Sequence, residues 1–547
     1  MKKIFFLTAL SIISASCIKD FESINKDPNL PTPADTEKDG LNISGYLGTI
    51  QNQVVPAKVT GTDEVNLYQI AFNMMGDSYA GYFAPPENKW NNELTMITGY
   101  MADHWMNGIY SGMFNSPIAS WRELKKNTID KDASDVNNQT VYQMGQICKV
   151  MAVLRATDMF GPLPYLQQGK GLRQVPYDDV KSIYYRLFEE LTEANNVIKQ
   201  RISDKYTLPS GVRQQDVYYA GDLQKWAKLA NSVRLRMALR IRYADPNKAK
   251  EEAQAAITAG VMTELADAAK VQSNDRLVAL NCLEYIARAY GDTRAGATVL
   301  SYLDGYSDPR KEKYFKVNPT EKADGYTIQT TIRGIRAGYK GGKSYMGFAF
   351  PGMDENSPTY VMKASEVYFL RAEAKLFLAT TDDTDASLYQ KGIEMSFTEN
   401  GVSAADYVNN TTKKPANYTD PINSTYSAGA PSTVTIAYSG TEEEKLEKII
   451  TQKYLAIFPD GHEAWTEWRR TGYPKQILSV QYKGDLTHGN TIISPDGTSK
   501  GVRRAIYPQS EYNINRENMI RAVQLIGNGA VDDSNSHIWW DANPRVR

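Results

Sequence analysis

Apolar residues along this chain recur at helical spacing in several long segments, and Gly, Pro and short polar residues break the segments apart. Met144, Ile147, Met151 and Leu154 step by three and four, which predicts a helix over 141–160 with one buried face. It stops at Asp158-Met159-Phe160-Gly161-Pro162-Leu163-Pro164-Tyr165, where Gly and two prolines cannot continue it. A second helix buries Ile183, Leu187, Leu191, Ala194 and Ile198. A third begins at Asp222, a side chain suited to an N-cap, and carries Leu223, Trp226, Ala230, Val233, Met237 and Ile241. Asp245-Pro246 opens a fourth with Pro at its first position, and Gly260 closes it. Glycines at 334, 338, 341, 342, 347 and 352 turn residues 300–360 into loops and short strands. Helix resumes at Ala364, Val367, Leu370 and Ala374. Residues 379–440, mostly Thr, Ser, Asn and Asp, read as a surface excursion with one helix near 388–397. Thr441 and Glu444 form a capping box ahead of Leu446, Ile450, Tyr454 and Ile457. The last hundred residues read as irregular and Trp-rich.

Antiparallel helix pairs around 140–260 and 363–460 predict a mostly α fold. Its scaffold is tetratricopeptide-like helix pairs, with long irregular loops and a few short strands forming a ligand face. No clean 34-residue repeat adds to that prediction.

The N-terminus has a different character. Lys2 and Lys3 precede an apolar run from Ile4 to Ile13, then Ser14, Ala15 and Ser16. A run of that length is about half of what spans a bilayer as a helix, so residues 1–16 read as an export signal. Cys17 comes directly after, the place where a bacterial lipoprotein is cut and acylated, although Ser14 stands where such signals usually carry Leu. Residues 17–45 read as an extended arm stiffened by Pro28, Pro31 and Pro33, and residues 46–547 as one domain.

Composition narrows the function. The 547 residues hold 62 Lys plus Arg against 63 Asp plus Glu, so no basic field suits a nucleic-acid backbone. Beyond Cys17 there are two cysteines, Cys148 and Cys282, which read as small buried hydrophobes rather than a disulfide. Tyrosine is abundant, 35 residues with 8 Trp against 15 Phe, and flat rings with a polar edge suit amphipathic ligands.

No catalytic or cofactor motif stands out. His462-Glu463 lacks the second His of a zinc-binding HExxH helix, and Gly342-Lys343-Ser344 lacks the leading Gly of a phosphate loop. Four histidines are too dispersed for a metal cluster, and Asp103-His104 reads as a helix pair. The carboxylate pair of a glycosidase stays open, because its separation is a three-dimensional quantity. Binding has more support. Tyr79, Tyr82, Phe83 and Trp90 sit at irregular spacing among Gly, Pro and Asn, unlike core aromatics on a helix. They are candidate stacking residues, with Trp105 on a later helix; packing of a structured loop is the alternative. Trp539 and Trp540 read as anchors of the C-terminal tail.

Several stretches resemble one family. The segment 21–29, Phe-Glu-Ser-Ile-Asn-Lys-Asp-Pro-Asn, is similar to the segment just after the lipidated Cys in SusD/RagB outer-membrane lipoproteins of the Bacteroidetes. Lys19-Asp20 and Glu22 resemble the acidic signal that directs such proteins to the outer face. Further in, residues 157–165, 221–226 with 230–236, 307–310, 452–474 and 503–515 look like hallmarks of the same family, in the family's order. The resemblance implies a surface-exposed, non-catalytic nutrient binder with no cofactor. It would capture oligosaccharides or oligopeptides and act as the lid of a SusC-like, TonB-dependent transporter. Hallmark residues Asp158, Arg234, Arg236, Arg469 and Arg470 would then be structural, the arginines pairing with carboxylates such as Asp158. A surface glycoside hydrolase and a helical scaffold that binds only protein are the alternatives.

Overall fold

The computed structural model describes residues 40–59, 64–87, 96, 101–274, 277–320, 325–338, 343–478, 501–527 and 531–546. Cys17, the signal segment and Trp90 lie outside them. The first helix, Leu41–Val54, begins inside the segment expected to be extended. It packs on Ser116–Asn127 and Val136–Phe160.

Four helix pairs succeed one another through the core. Val136–Phe160 pairs with Val180–Ser203, and Leu223–Arg240 with Pro246–Ala259. Ala364–Leu378 pairs with Asp385–Glu399, and Glu442–Ile457 leads to Gly461–Thr471. Local chemistry fixes the starts of these helices. Asp135, Asp179, Asp222, Asp245, Thr384, Thr441 and Asp460 each accept a backbone N–H of the first turn. Each such cap contributes about 1 kcal/mol. The Thr441–Glu444 capping box is present in both directions.

Two sequence expectations need correction here. The helix in the 379–440 stretch is no excursion: Asp385–Glu399 buries Leu388, Tyr389, Ile393 and Phe397 against Ala364–Leu378. The stretch after it is tied down through Tyr407, Val434 and Ile436. The C-terminal hundred residues are also not uniformly irregular, since Gly461–Thr471 and Arg516–Ile526 are helical. The first was missed because its buried face carries charges where a helix pattern shows apolar residues.

Among the described residues, strand is confined to four short antiparallel pairs, such as Phe83↔Ala295 and Phe315↔Pro351. One continuous hydrophobic cluster extends from Ile43 to Trp540. Cys148 and Cys282 are both buried and unpaired thiols. No helix among the described residues is long and apolar enough to cross a membrane.

Candidate functional site

The aromatic loop chosen from the sequence divides in two. Tyr82 is fully buried, stacked on Tyr454 at 4.5 Å, with its hydroxyl donating to the Tyr454 carbonyl. Phe83 packs against Phe315 and Phe458. Both are buried in the core, drawn inward by the Phe83↔Ala295 strand pairing, and Phe83 keeps an edge on the surface cleft that Tyr79 borders. Tyr79 is nearly buried as well, donating to the Met96 carbonyl at 2.7 Å, but it borders a surface cleft. Trp105 is half-buried beside His104 and does not line that cleft.

The cleft lies between the 78–83 turn, the start of the helix Ala297–Tyr306, residues 335–337, the face of Gly461–Thr471, and 476–478. Two glycines make it. Gly81 has φ +71°, and a Cβ there would strike the Thr298 side chain; a Cβ on Gly296 would fall inside contact distance of the Gly81 carbonyl. With no side chains in the way, Gly296 N–H donates to the Tyr82 carbonyl at 2.8 Å and the two segments lie flush.

Trp465 and Trp468, three apart on one helix, form the aromatic wall. Trp465 is fixed: Nε1–H donates to the Val502 carbonyl, the Arg469 guanidinium lies 3.7 Å from its ring centre, and Tyr79 closes the third side at 5.2 Å. Trp468 is half-buried, with the Arg503 guanidinium 5.4 Å from its ring centre. Leu478 is exposed at the rim. The Arg336 guanidinium donates to the carbonyls of Leu478, Tyr426 and Ser427, which ties the rim segments together. Gln476 lines the cleft, and its buried Nε2 has no acceptor among the described residues. The inner space is narrow, about 60 Å³, so the cleft takes a flat edge or ring face and does not engulf a molecule. No carboxylate lines it among the described residues, and a glycosidase acid/base pair needs two.

Sequence reasoning missed Trp468, Arg336, Gln476 and Thr298. The Trp465–Trp468 spacing was a usable signal; the others come from distant segments and carried none.

The motif residues occupy buried junctions. Arg236 forks onto Glu366 at 2.8 and 2.6 Å, and Arg470 onto Glu373 at 2.6 and 2.7 Å. Arg234 pairs with Glu252, joining the helices Leu223–Arg240 and Pro246–Ala259. Arg469 departs from the expectation of a carboxylate partner: it donates to the carbonyls of Asp158 and Arg503. The Asp158 carboxylate accepts from Tyr184 and from Trp540 Nε1, and Arg240 lies 3.6 Å away. Trp540 is thereby the anchor of the C-terminal tail. Tyr507 donates to the Pro162 carbonyl, and Arg504 to that of Phe160. His462 is buried in the core, with its ring pushed down to about 3 by burial and the nearby Arg155 charge.

The SusD-like family, described as SusD and RagB outer membrane lipoprotein, matches residues 23–541. The chain belongs to the SusD-like family. A chitin-binding SusD homologue from Flavobacterium johnsoniae is 30% identical, covering 92% of this chain and 99% of its own, with a TM-score of 0.81. A SusD homologue from Bacteroides thetaiotaomicron is 30% identical at the same coverages, with a TM-score of 0.78. One from Bacteroides ovatus is 28% identical, again at 92% and 99%, with a TM-score of 0.80. A comparison with curated proteins returns no match. The predicted mostly helical SusD-like fold is therefore the observed one. In this SusD-like protein the family motifs hold helices and loops in register, while the half-buried Trp468 lines the cleft.

Proposed function

We propose that this SusD-like protein captures oligosaccharides in the Trp468 cleft and is held on the outer surface of the outer membrane by lipid on Cys17. The observation that carries the reading is the partly buried Trp468, which lines the same cleft as Gln476, whose Nε2 has no acceptor among the described residues. Sugar rings offer C–H faces to an indole and hydroxyls to an amide donor, so one wall of the cleft meets each requirement. The chitin-binding relative adds support for a glycan over a peptide. The arm 17–45 tethers the domain 46–547, and tethering raises its effective concentration at a SusC-like, TonB-dependent transporter. Ligand trapped between the two proteins favours the closed lid.

The test is calorimetric titration of the mature protein with chitooligosaccharides, other neutral glycans and oligopeptides. Saturable binding of a glycan without change to it in the products is the expected result. Turnover of the glycan would move the assignment to a glycoside hydrolase. Binding of peptides alone would reassign the ligand. Gentle detergent extraction from the native membrane is expected to recover the transporter with it.

A further inference from the structure

A second hollow shares no lining residue with the Trp468 cleft. Two adjoining cavities of about 320 and 350 Å³ have Trp121, Gln168 and Lys170 in common, so they form one trough. It runs between the helix Ser116–Asn127, the 165–170 turn, and the pair Val136–Phe160 and Val180–Ser203.

Its chemistry is unlike the rest of a chain with net charge −1: six basic side chains line it against three carboxylates. The carboxylates are occupied. Asp130 pairs with Lys125, and Glu123 lies 3.9 Å from Lys126. Glu190 accepts from Lys149 at 2.9 Å, from Arg186 at 3.2 Å and from the Tyr165 hydroxyl. Arg186 is further met by Glu189 and Glu193. Arg122 and Lys170 have no ion-pair partner among the described residues and stand at the rim.

Lys149 is the unusual member. Its side chain is 2% exposed, yet it lines the trough. The ammonium carries three donors, and Glu190 is its one hydrogen-bond acceptor among the described residues. The rings of Trp121 and Tyr165 lie 4.3 and 5.1 Å away. Burial pulls this ammonium below its ordinary value, and Glu190 opposes the shift. Glu190 compensates the charge, and the two remaining donors of the ammonium have no acceptor among the described residues. The half-buried Trp121 indole, with Ile118 and Leu166, adds an apolar wall that a bare inorganic ion would leave unused.

We propose that this trough binds an acidic saccharide, its carboxylate or sulfate directed to Lys149, Arg122 and Lys170 and its ring laid along Trp121. The mature protein is titrated with an oligogalacturonate, a heparin-derived oligosaccharide, a neutral galactan oligosaccharide of equal length, and inorganic sulfate. At least one acidic probe is expected to bind tenfold or more tightly than the neutral one, and to weaken as salt rises. The double variant Arg122→Ala/Lys170→Ala, at the surface and outside the core, is expected to lose that binding at least tenfold with its melting temperature unchanged. Trp468→Ala is expected to leave it intact, which separates this site from the proposed cleft. Equal affinity for acidic and neutral probes overturns the proposal. So does inorganic sulfate binding as tightly as the sugar, absence of binding by both acidic probes, or full affinity in the double variant.

Discussion

Replacing Glu467 with Gln tests the buried charge network that holds the helix Gly461–Thr471 to the scaffold. Glu467 accepts from Arg240 at 2.7 Å and from Arg470 at 2.6 and 3.1 Å, with Lys453 at 3.5 Å. The same cluster contains Arg236, Arg242, Asp158, Glu366, Glu373 and Glu463, so its five cations face five carboxylates. Gln keeps the volume and one acceptor but leaves a cation uncompensated. Removing one partner of a buried pair costs about 3–5 kcal/mol. With roughly 450 described residues and about 2.1 cal/mol/K each, the unfolding entropy is near 1 kcal/mol per kelvin. Glu467→Gln should therefore lower Tm by about 3–5 °C at pH 7, read by calorimetry. The pH dependence adds a second check. Burial alone would raise the Glu467 carboxyl, but Arg470, Lys453 and Arg240 overcome it and hold it at about 2 against an ordinary 4.5. A carboxylate held low in the folded state stabilises above pH 4.5 and loses that contribution as pH falls toward 2. The gap between wild type and variant should narrow across that window. His462, whose buried neutral ring loses stability as pH falls from 6.5 toward 3, is common to both proteins and cancels. A Tm within 1 °C of wild type at pH 7, or a gap constant from pH 5 to pH 2, refutes the reasoning.

Trp468→Ala should weaken glycan binding about tenfold or more, since losing a stacking anchor costs upwards of 1 kcal/mol, with the circular dichroism spectrum unchanged. Gly296→Ala should destabilise by about 1–3 kcal/mol through its clash with the Gly81 carbonyl, seen as a lower urea midpoint. Tyr82→Ala should show as a stability loss of about 3–5 kcal/mol, because the ring is core, while Tyr82→Phe loses only one hydrogen bond. Cys17→Ala should move the protein from the membrane to the soluble fraction; retention in membranes that lack the transporter would disprove lipid anchoring at that residue.

What the chain by itself determined is the helical scaffold, since caps and apolar spacing act over a few residues. Asp222, Pro246, Gly260 and the Thr441–Glu444 box marked helix ends that the structure keeps. The family was legible too, because its hallmarks are short contiguous runs. Spacing failed where burial and polarity part company. Gly461–Thr471 buries Glu463, Glu467, Arg469 and Arg470, so a reading that equates charge with solvent passes over it. Their partners, Arg240, Glu373 and Lys453, come from other helices, and only the packed structure brings them within reach. The same holds for the aromatics. Tyr82 and Phe83 looked exposed because the sequence does not show that residues 294–295 and 454–458 close over them. Trp468 becomes a candidate contact because segments near 80, 297, 336 and 477 converge around it. Local chemistry set the helices; which of their polar and aromatic residues faces solvent was decided by what else packs there.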